Sequence, residues 1–326
     1  MARADVAVEV QIRSPHDGGL QRAVLRLPRR TARGRLPIIF APHPFSWSVD
    51  DDYYGGCSGL KAARHSGWRG VPSELGVAVL QPFGHHRAVE WCSMGYAGVI
   101  RDVPAWIDVV DDAVGIDRDR VYGCGLSMGG LESLLAAAHH PRLFAAVFAF
   151  NPVVDARAWY EDLARTESAE LRAEGSDTLI AREVGGLPNE IPGAWAERSV
   201  FGAIDGLRTM PTTIWWSRVD LVVPRQAERH GKHLYDELKR RDPAAPVSEY
   251  DHTNRCGFAE PLTDDERWAI HESSEYAFAA RWLLLHRRWR APSRGDGASR
   301  EGMGETDATY GDRAAARTFD GGSAWH

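Results

Sequence analysis

Residues 123–130 read GCGLSMGG, and what stands on either side of them decides the fold. Upstream, DRDRVYGCG carries Val121, Tyr122 and Cys124, a short apolar run that reads as a buried strand. Downstream, LESLLAAAHHP is rich in Leu and Ala and stops at Pro141, as a helix stops. Ser127 therefore sits on a sharp strand-to-helix turn. Gly125 and Gly129, two residues to either side, have no Cβ to clash, so the turn can close and the hydroxyl is pushed into open space. The following helix aims its N-terminal N–H groups at the place where an oxyanion would form. Gly-x-Ser-x-Gly alone is a weak signal in a chain with 32 glycines. Between a strand and a helix it points to a nucleophile.

The flanking sequence supplies the rest of a sheet. VAVEVQI (6–12) and LQRAVLRL (20–27) alternate around PHDGG, which predicts an antiparallel pair at a sheet edge. RLPIIFAPHP and GVAVLQPFG are uninterrupted apolar runs, suited to strands buried on both faces of a parallel sheet. Residues 98–114 place Val99, Val103, Trp106 or Ile107, and Val110 on one helical face. LFAAVFAFNP, TTIWW and PVSEY read as further strands. PRQAERHGKHLYDELKRR reads as a helix, and a long final helix opens on Thr263-Asp-Asp-Glu266, a capping box. Between LFAAVFAFNP and TTIWW, residues 155–205 are charged and helical, then rich in Gly and Pro, which reads as a helical cap inserted over the mouth of the site. The expected fold is α/β: a doubly wound, mostly parallel sheet with a helical cap insertion, over residues 1–290. Residues 291–326 are polar, Gly-rich and aperiodic and read as a disordered tail.

A chain of 326 residues, 44% hydrophobic, can bury a substantial core. Its formal charge of −6 gives no electrostatic case for nucleic acid or an anionic membrane. No 18-residue apolar run exists, and MARADVAVEVQIRSPHDGG has charges where a signal peptide needs its apolar centre. A cytoplasmic protein is the default. Cys57, Cys92, Cys124 and Cys256 form no Cys-x-x-Cys pair, so neither a zinc site nor a redox motif is indicated. Cys124 reads as a buried apolar residue, and a Cys57–Cys92 disulfide is left open by their predicted loops.

A serine hydroxyl needs a base, and the base needs an orienting acid, in loops at the carboxyl ends of strands and in the order Ser, Asp, His. Asp220 directly follows the strand TTIWW and is the favoured acid; Asp155 is its competitor. His252, in the loop DHTNRCGF after PVSEY, is the favoured base. His271 falls inside the final helix and reads as a surface residue. His230 and His233 lie one helical turn apart with no third metal ligand in evidence. His85-His86 and His139-His140 are adjacent pairs that do not share a helix face. Of the two oxyanion donors, one is expected from the Met128 N–H and the other from the loop APHPFSW, where Pro42 and Pro44 have no N–H and His43, Phe45 and Ser46 remain. The Tyr53 and Tyr54 hydroxyls are further candidates. Glu132 is an unusual charge on the elbow helix, either a partner to the site or a side chain reaching solvent.

With these pieces placed, the chain resembles the prolyl-oligopeptidase-like and esterase branch of the α/β-hydrolase superfamily. VIRDVPAWIDVVDDAVGIDRDRVYGCGLSMGG, AERSVFGAIDGLRTMPTTIWWSRVDLVVP and ELKRRDPAAPVSEYDHTNRCGF carry the likeness, with RLPIIFAPHP. The resemblance implies Ser127 as nucleophile, Asp220 as acid, His252 as base, and oxyanion donors at Met128 and around His43 to Phe45. The loop departs from the branch in having Ala-Pro-His-Pro where many relatives have His-Gly-Gly, and Asp-His-Thr stands where Gly-His-Gly is usual. No β-propeller precedes the hydrolase region, which shifts weight from peptidase to esterase. Trp47, Trp91, Trp159 and Trp195 fall in loops or in the insertion, where they either line an apolar cleft or pack the cap. The expected activity is hydrolysis of a carboxylic ester through an acyl-enzyme, without metal or organic cofactor, on a small ester or short peptide. Peptide or amide cleavage, acyl transfer, and a catalytically inactive binding protein on the same fold are the alternatives.

Overall fold

The computed structural model describes residues 5–29, 34–45, 67–85, 92–165, 176–253, 261–272 and 274–288. Eight strands form one sheet in the order β1-β2-β4-β3-β5-β6-β7-β8. The edge pair is β1 (Val6–Arg13) and β2 (Leu20–Leu27), antiparallel, with Val6 opposite Leu27 and Arg13 opposite Leu20. Next to β2 runs β4 (Ala78–Pro82), antiparallel to it. From β4 onward every pairing is parallel: β3 (Leu36–Phe40), β5 (Ile116–Leu126), β6 (Ala146–Phe150), β7 (Thr212–Trp216) and β8 (Val247–Asp251).

The uninterrupted apolar runs have the physical cause expected of them. Every residue of β3, β6 and β7 is buried, because helices cover both faces of the sheet. Ile38, Phe40, Ile214 and Trp216 point to one face, which is covered by α3 (Val103–Val114), α4 (Met128–His139) and α9 (Gly231–Arg241). Ile39, Phe148 and Trp215 point to the other, covered by α1 (Val71–Leu75) and α11 (Tyr276–Leu283). Trp215 and Trp216 thus face opposite layers, as strand periodicity demands.

Three predicted helices are broken. Residues 98–114 divide at Asp102 into α2 (Ala97–Arg101) and α3, with Pro104 in the first turn of the second. The helix after β7 divides at His230 into α8 (Gln226–Arg229) and α9. The final helix is two: α10 (Asp264–Glu272) and α11. The capping box is present, with the Thr263 N–H donating to Glu266 Oε2 at 2.7 Å and the Glu266 N–H to Thr263 Oγ1 at 3.3 Å.

Between β6 and β7 the chain builds α5 (Ala156–Leu163), α6 (Ser176–Val184), α7 (Pro192–Ala196) and two 3-10 turns, Val200–Gly202 and Ile204–Leu207. Cys92 and Cys124 are buried free thiols, and Cys57, the other half of the pair left open by the sequence, lies outside the described residues. No described helix is long and apolar enough to cross a membrane. The tail expected at 291–326 lies outside the described residues.

Candidate active site

Parallel strands end together, so the loops beyond them gather at one rim of the sheet. There stand His43 beyond β3, Ser127 at the tip of β5, Asn151 beyond β6, Asp220 beyond β7 and His252 beyond β8.

Ser127 has φ 56° and ψ −118°, a left-handed conformation that costs a residue with a Cβ on the order of 1–3 kcal/mol. Three backbone bonds hold it there. Its N–H donates to Phe150 O at 3.0 Å, and its carbonyl accepts from Leu131 at 3.1 Å and Val153 at 3.2 Å. The glycines are obligatory. A Cβ on Gly125 would lie 2.3 Å from the Gly129 carbonyl, and one on Gly129 would lie 2.2 Å from Pro42 O. The second contact presses the first turn of α4 against the loop after β3. Among the described residues, none accepts from the Met128 N–H.

That loop places the other expected donors. His43 turns its ring toward main-chain carbonyls, with Nδ1 2.7 Å from Pro44 O and Nε2 3.2 Å from Phe83 O. Phe45 is buried and meets Trp159 edge to face at 6.2 Å. Ser46, Trp47, Tyr53, Tyr54 and Trp91 lie outside the described residues.

Asp220 is fixed by its own loop, its Oδ1 accepting from the Val222 N–H at 2.8 Å and the Val223 N–H at 3.0 Å. The loop is held from the insertion, because Trp159 Nε1 donates to Val222 O at 2.8 Å. Asp155, the competing acid, is instead the N-cap of α5 and accepts from Ala158.

The remaining oxygen of Asp220, Oδ2, is met by His271 Nδ1 at 2.9 Å. His271 is 4% exposed, so its reading as a surface residue is corrected. It occupies the last turn of α10, a shorter helix than the sequence pattern suggests, and that turn is folded onto the rim. Asn151 joins this helix to the strand ends: it follows Phe150, the partner of Leu126, and its Nδ2 lies 3.5 Å from Ile270 O. His252, by contrast, makes no hydrogen bond to Asp220 among the described residues. Its Nε2 lies 3.4 Å from Asn151 Oδ1, and its ring packs on Trp215 at 5.4 Å. Burial pushes the His252 imidazole down to about 4, although the nearby carboxylates of Asp220 and Asp251 oppose that shift. The structure therefore brings His271 to Asp220 and holds His252 beside it as a neutral ring.

Trp159 and Trp195 are completely enclosed, so they pack the insertion rather than line a cleft. Trp195 donates to Gly186 O and meets Tyr160 at 5.1 Å. His230 is buried at the α8–α9 break and His233 lies against Phe201; no group of three or more His, Cys, Asp or Glu among the described residues could hold a metal. His85 binds Asp102 at 2.7 Å, and His140 binds Ile100 O at 2.9 Å. Glu132 does not reach solvent: it is buried and accepts from Ser93 Oγ at 2.5 Å.

Known proteins resemble this chain in one stretch of sequence and in fold. Residues 92–178, which include the elbow, match the prolyl oligopeptidase family. No curated protein matches by sequence. Among solved structures, a thermophilic carboxylesterase cloned from a metagenomic library superposes with a TM-score of 0.57 at 16% identity, over 87% of this chain and 91% of that one. The fluorophosphonate-binding serine hydrolase F of Staphylococcus aureus gives 0.55 at 16% identity, over 86% and 98%. Porphyromonas gingivalis dipeptidyl peptidase 4 gives 0.57 at 16% identity, over 87% of this chain but 36% of that one. The chain has the fold of the α/β-hydrolases, and its residues 92–178, which carry Ser127, are similar to the prolyl oligopeptidase family.

Proposed function

We propose that this protein is a serine hydrolase that cleaves a carboxylic ester through an acyl-enzyme, with Ser127 as nucleophile, His271 as base and Asp220 as acid. The observation that carries the reading is the 2.9 Å contact between His271 Nδ1 and a buried Asp220 already anchored by two main-chain N–H groups. A carboxylate accepting from Nδ1–H leaves the lone pair on Nε2, the tautomer a general base requires. Ser127 Oγ attacks the ester carbonyl as His271 Nε2 takes its proton. The Met128 N–H and a donor from the loop at His43 to Phe45 hold the oxyanion. The C–O bond then breaks, and the alcohol leaves with the proton from His271. Water attacks the acyl-enzyme by the same steps in reverse roles.

His252 is the alternative base, because the Asp220 charge acts on it as well. Its depressed basicity argues against that role, since a base acting near neutral pH works best when its own pKa lies near it. Ester rather than amide cleavage is supported by the lengths matched: the carboxylesterase is covered over nearly its whole chain and the dipeptidyl peptidase over about a third.

Treatment with a fluorophosphonate followed by mass spectrometry tests the reading. A single adduct on Ser127 is expected. His271→Ala should lower p-nitrophenyl butyrate turnover by roughly 10⁴-fold, because triad members act as a unit, and His252→Ala by less than about tenfold. The reverse ranking would make His252 the base. No labelling of a folded protein would favour a binding role for this fold, and faster turnover of peptide anilides than of esters would favour a peptidase.

A further inference from the structure

A second buried charge cluster lies behind the nucleophile and has no part in the proton transfers above. Glu132 is five residues beyond Ser127 on α4 and 1% exposed, and its Oε1 accepts from Ser93 Oγ at 2.5 Å and from the Gly95 N–H at 3.2 Å. Arg198, at the end of the insertion and 3% exposed, grips the same short segment from the other side. Its Nη1 donates to Ser93 O at 2.6 Å and to Met94 O at 3.0 Å. Glu183 of α6 stands 4.0 Å from that guanidinium, which also lies over the Tyr96 ring at 5.5 Å.

The gripped segment is strained and close to the site. Met94 has φ 45° and Gly95 φ 71°, and a Cβ on Gly95 would strike Leu135 of α4 at 2.9 Å. The Met94 N–H points to Met128 Sδ at 3.3 Å. Met128 is the residue whose own N–H faces the oxyanion in the reading above, so residues 93–95 touch the elbow directly. Burial pushes the Glu132 carboxyl above the usual carboxylate range, while the Ser93 and Gly95 donors and the charges of His43 and Arg198 pull it back. Two carboxylates and a guanidinium withdrawn from water are expensive, and apolar residues would pack the same space at lower cost. What such a cluster supplies is fixed geometry.

We propose that Glu132, Ser93 and Arg198 are positioning residues that latch the insertion to the nucleophile helix and set the placement of the Met128 N–H. The latch rests on the serine-hydrolase reading. It makes the insertion part of the catalytic frame, so that a change in the insertion alters the chemical step.

The test is steady-state turnover of p-nitrophenyl butyrate by the full chain, with kcat and KM read separately. Arg198→Met keeps the apolar stem and removes the donors. It should lower kcat by about 10- to 100-fold, as a displacement of catalytic groups by a fraction of an ångström does, with KM within about threefold. Arg198→Lys, which can reach one carbonyl, should recover part of the loss. Glu132→Gln keeps the acceptor oxygen and loses the charge, and combined with Arg198→Met it should be no slower than the worse single variant. A folded Arg198→Met with kcat within about twofold of wild type, or a fall confined to KM, overturns the latch. Should Arg198→Met fail to fold, Arg198→Lys and Ser93→Ala decide by the same kcat criterion. Absence of fluorophosphonate labelling in the wild type is a separate result: it overturns the hydrolase reading and the latch with it, whereas normal labelling with unaffected variants overturns the latch alone.

Discussion

At the scale of single residues, Ser127, the proposed nucleophile, holds a backbone conformation that costs stability. Its φ of 56° is one that glycine adopts without penalty. Ser127→Gly should therefore abolish ester turnover and raise the unfolding free energy by about 1 kcal/mol, read as an increase in melting temperature. A lower melting temperature would mean that the hydroxyl itself, rather than the backbone, stabilises the turn. The position of Ser127 on a strand-to-helix turn is legible from its neighbours, because glycines and an apolar run are local signals. The environment of the histidines is not. His252 follows a strand and His271 a helix pattern, and only tertiary folding puts the second against Asp220, 51 residues away. The tryptophans show the same limit: composition puts Trp159 and Trp195 in an insertion, but which side of a helix is enclosed depends on what packs over it.

Elements show why the predicted boundaries shift. The sequence reads as one long final helix opening on its capping box, yet the chain forms α10 and α11 separately, on either side of a polar stretch that includes Ser274 and Glu275. The break lets the last turn of α10 deliver His271 to the rim while α11 covers the sheet. With only nine residues, α10 depends on its first turn, where Thr263 and Glu266 cap each other. Thr263→Ala, far from the reacting atoms, should cost about 1 kcal/mol of helix stability. If His271 is the base, it should also lower kcat several-fold more at 45 °C than at 20 °C, whereas a temperature-independent effect would dissociate α10 from the chemistry. By contrast, β3 is legible as a fully buried strand because its apolar run has no polar face to mislead.

For the whole molecule, two enclosed imidazoles make the fold less stable as pH falls below neutrality. Burial pushes His230 down to about 3, helped by Arg229, and His252 down to about 4, both from an ordinary 6.5. The unfolded chain then binds more protons than the folded one below pH 6.5. Stability is fully present above that value and is lost as pH falls toward 4 and 3. By linkage each ring costs about 2 kcal/mol at pH 5 relative to pH 7. His230→Asn, which keeps an acceptor for the Val154 N–H, should shrink the pH 7-to-5 loss measured by urea denaturation by about that amount. An unchanged loss would place the acid sensitivity elsewhere. The doubly wound, mostly parallel sheet with its antiparallel edge pair was legible because it follows from alternating strand and helix patterns; the insertion's packing was not, since it depends on ion pairs such as Arg229 with Glu161 and Asp162 across long stretches of chain.

The rim residues come from different crossovers, and this has a consequence for how the molecule assembles. Closing such distant loops is slow, and none of the local contacts that build individual helices depends on it. During refolding from urea, helical circular dichroism should return first and fluorophosphonate reactivity last. The interval between them would time the docking of α10 onto the finished sheet.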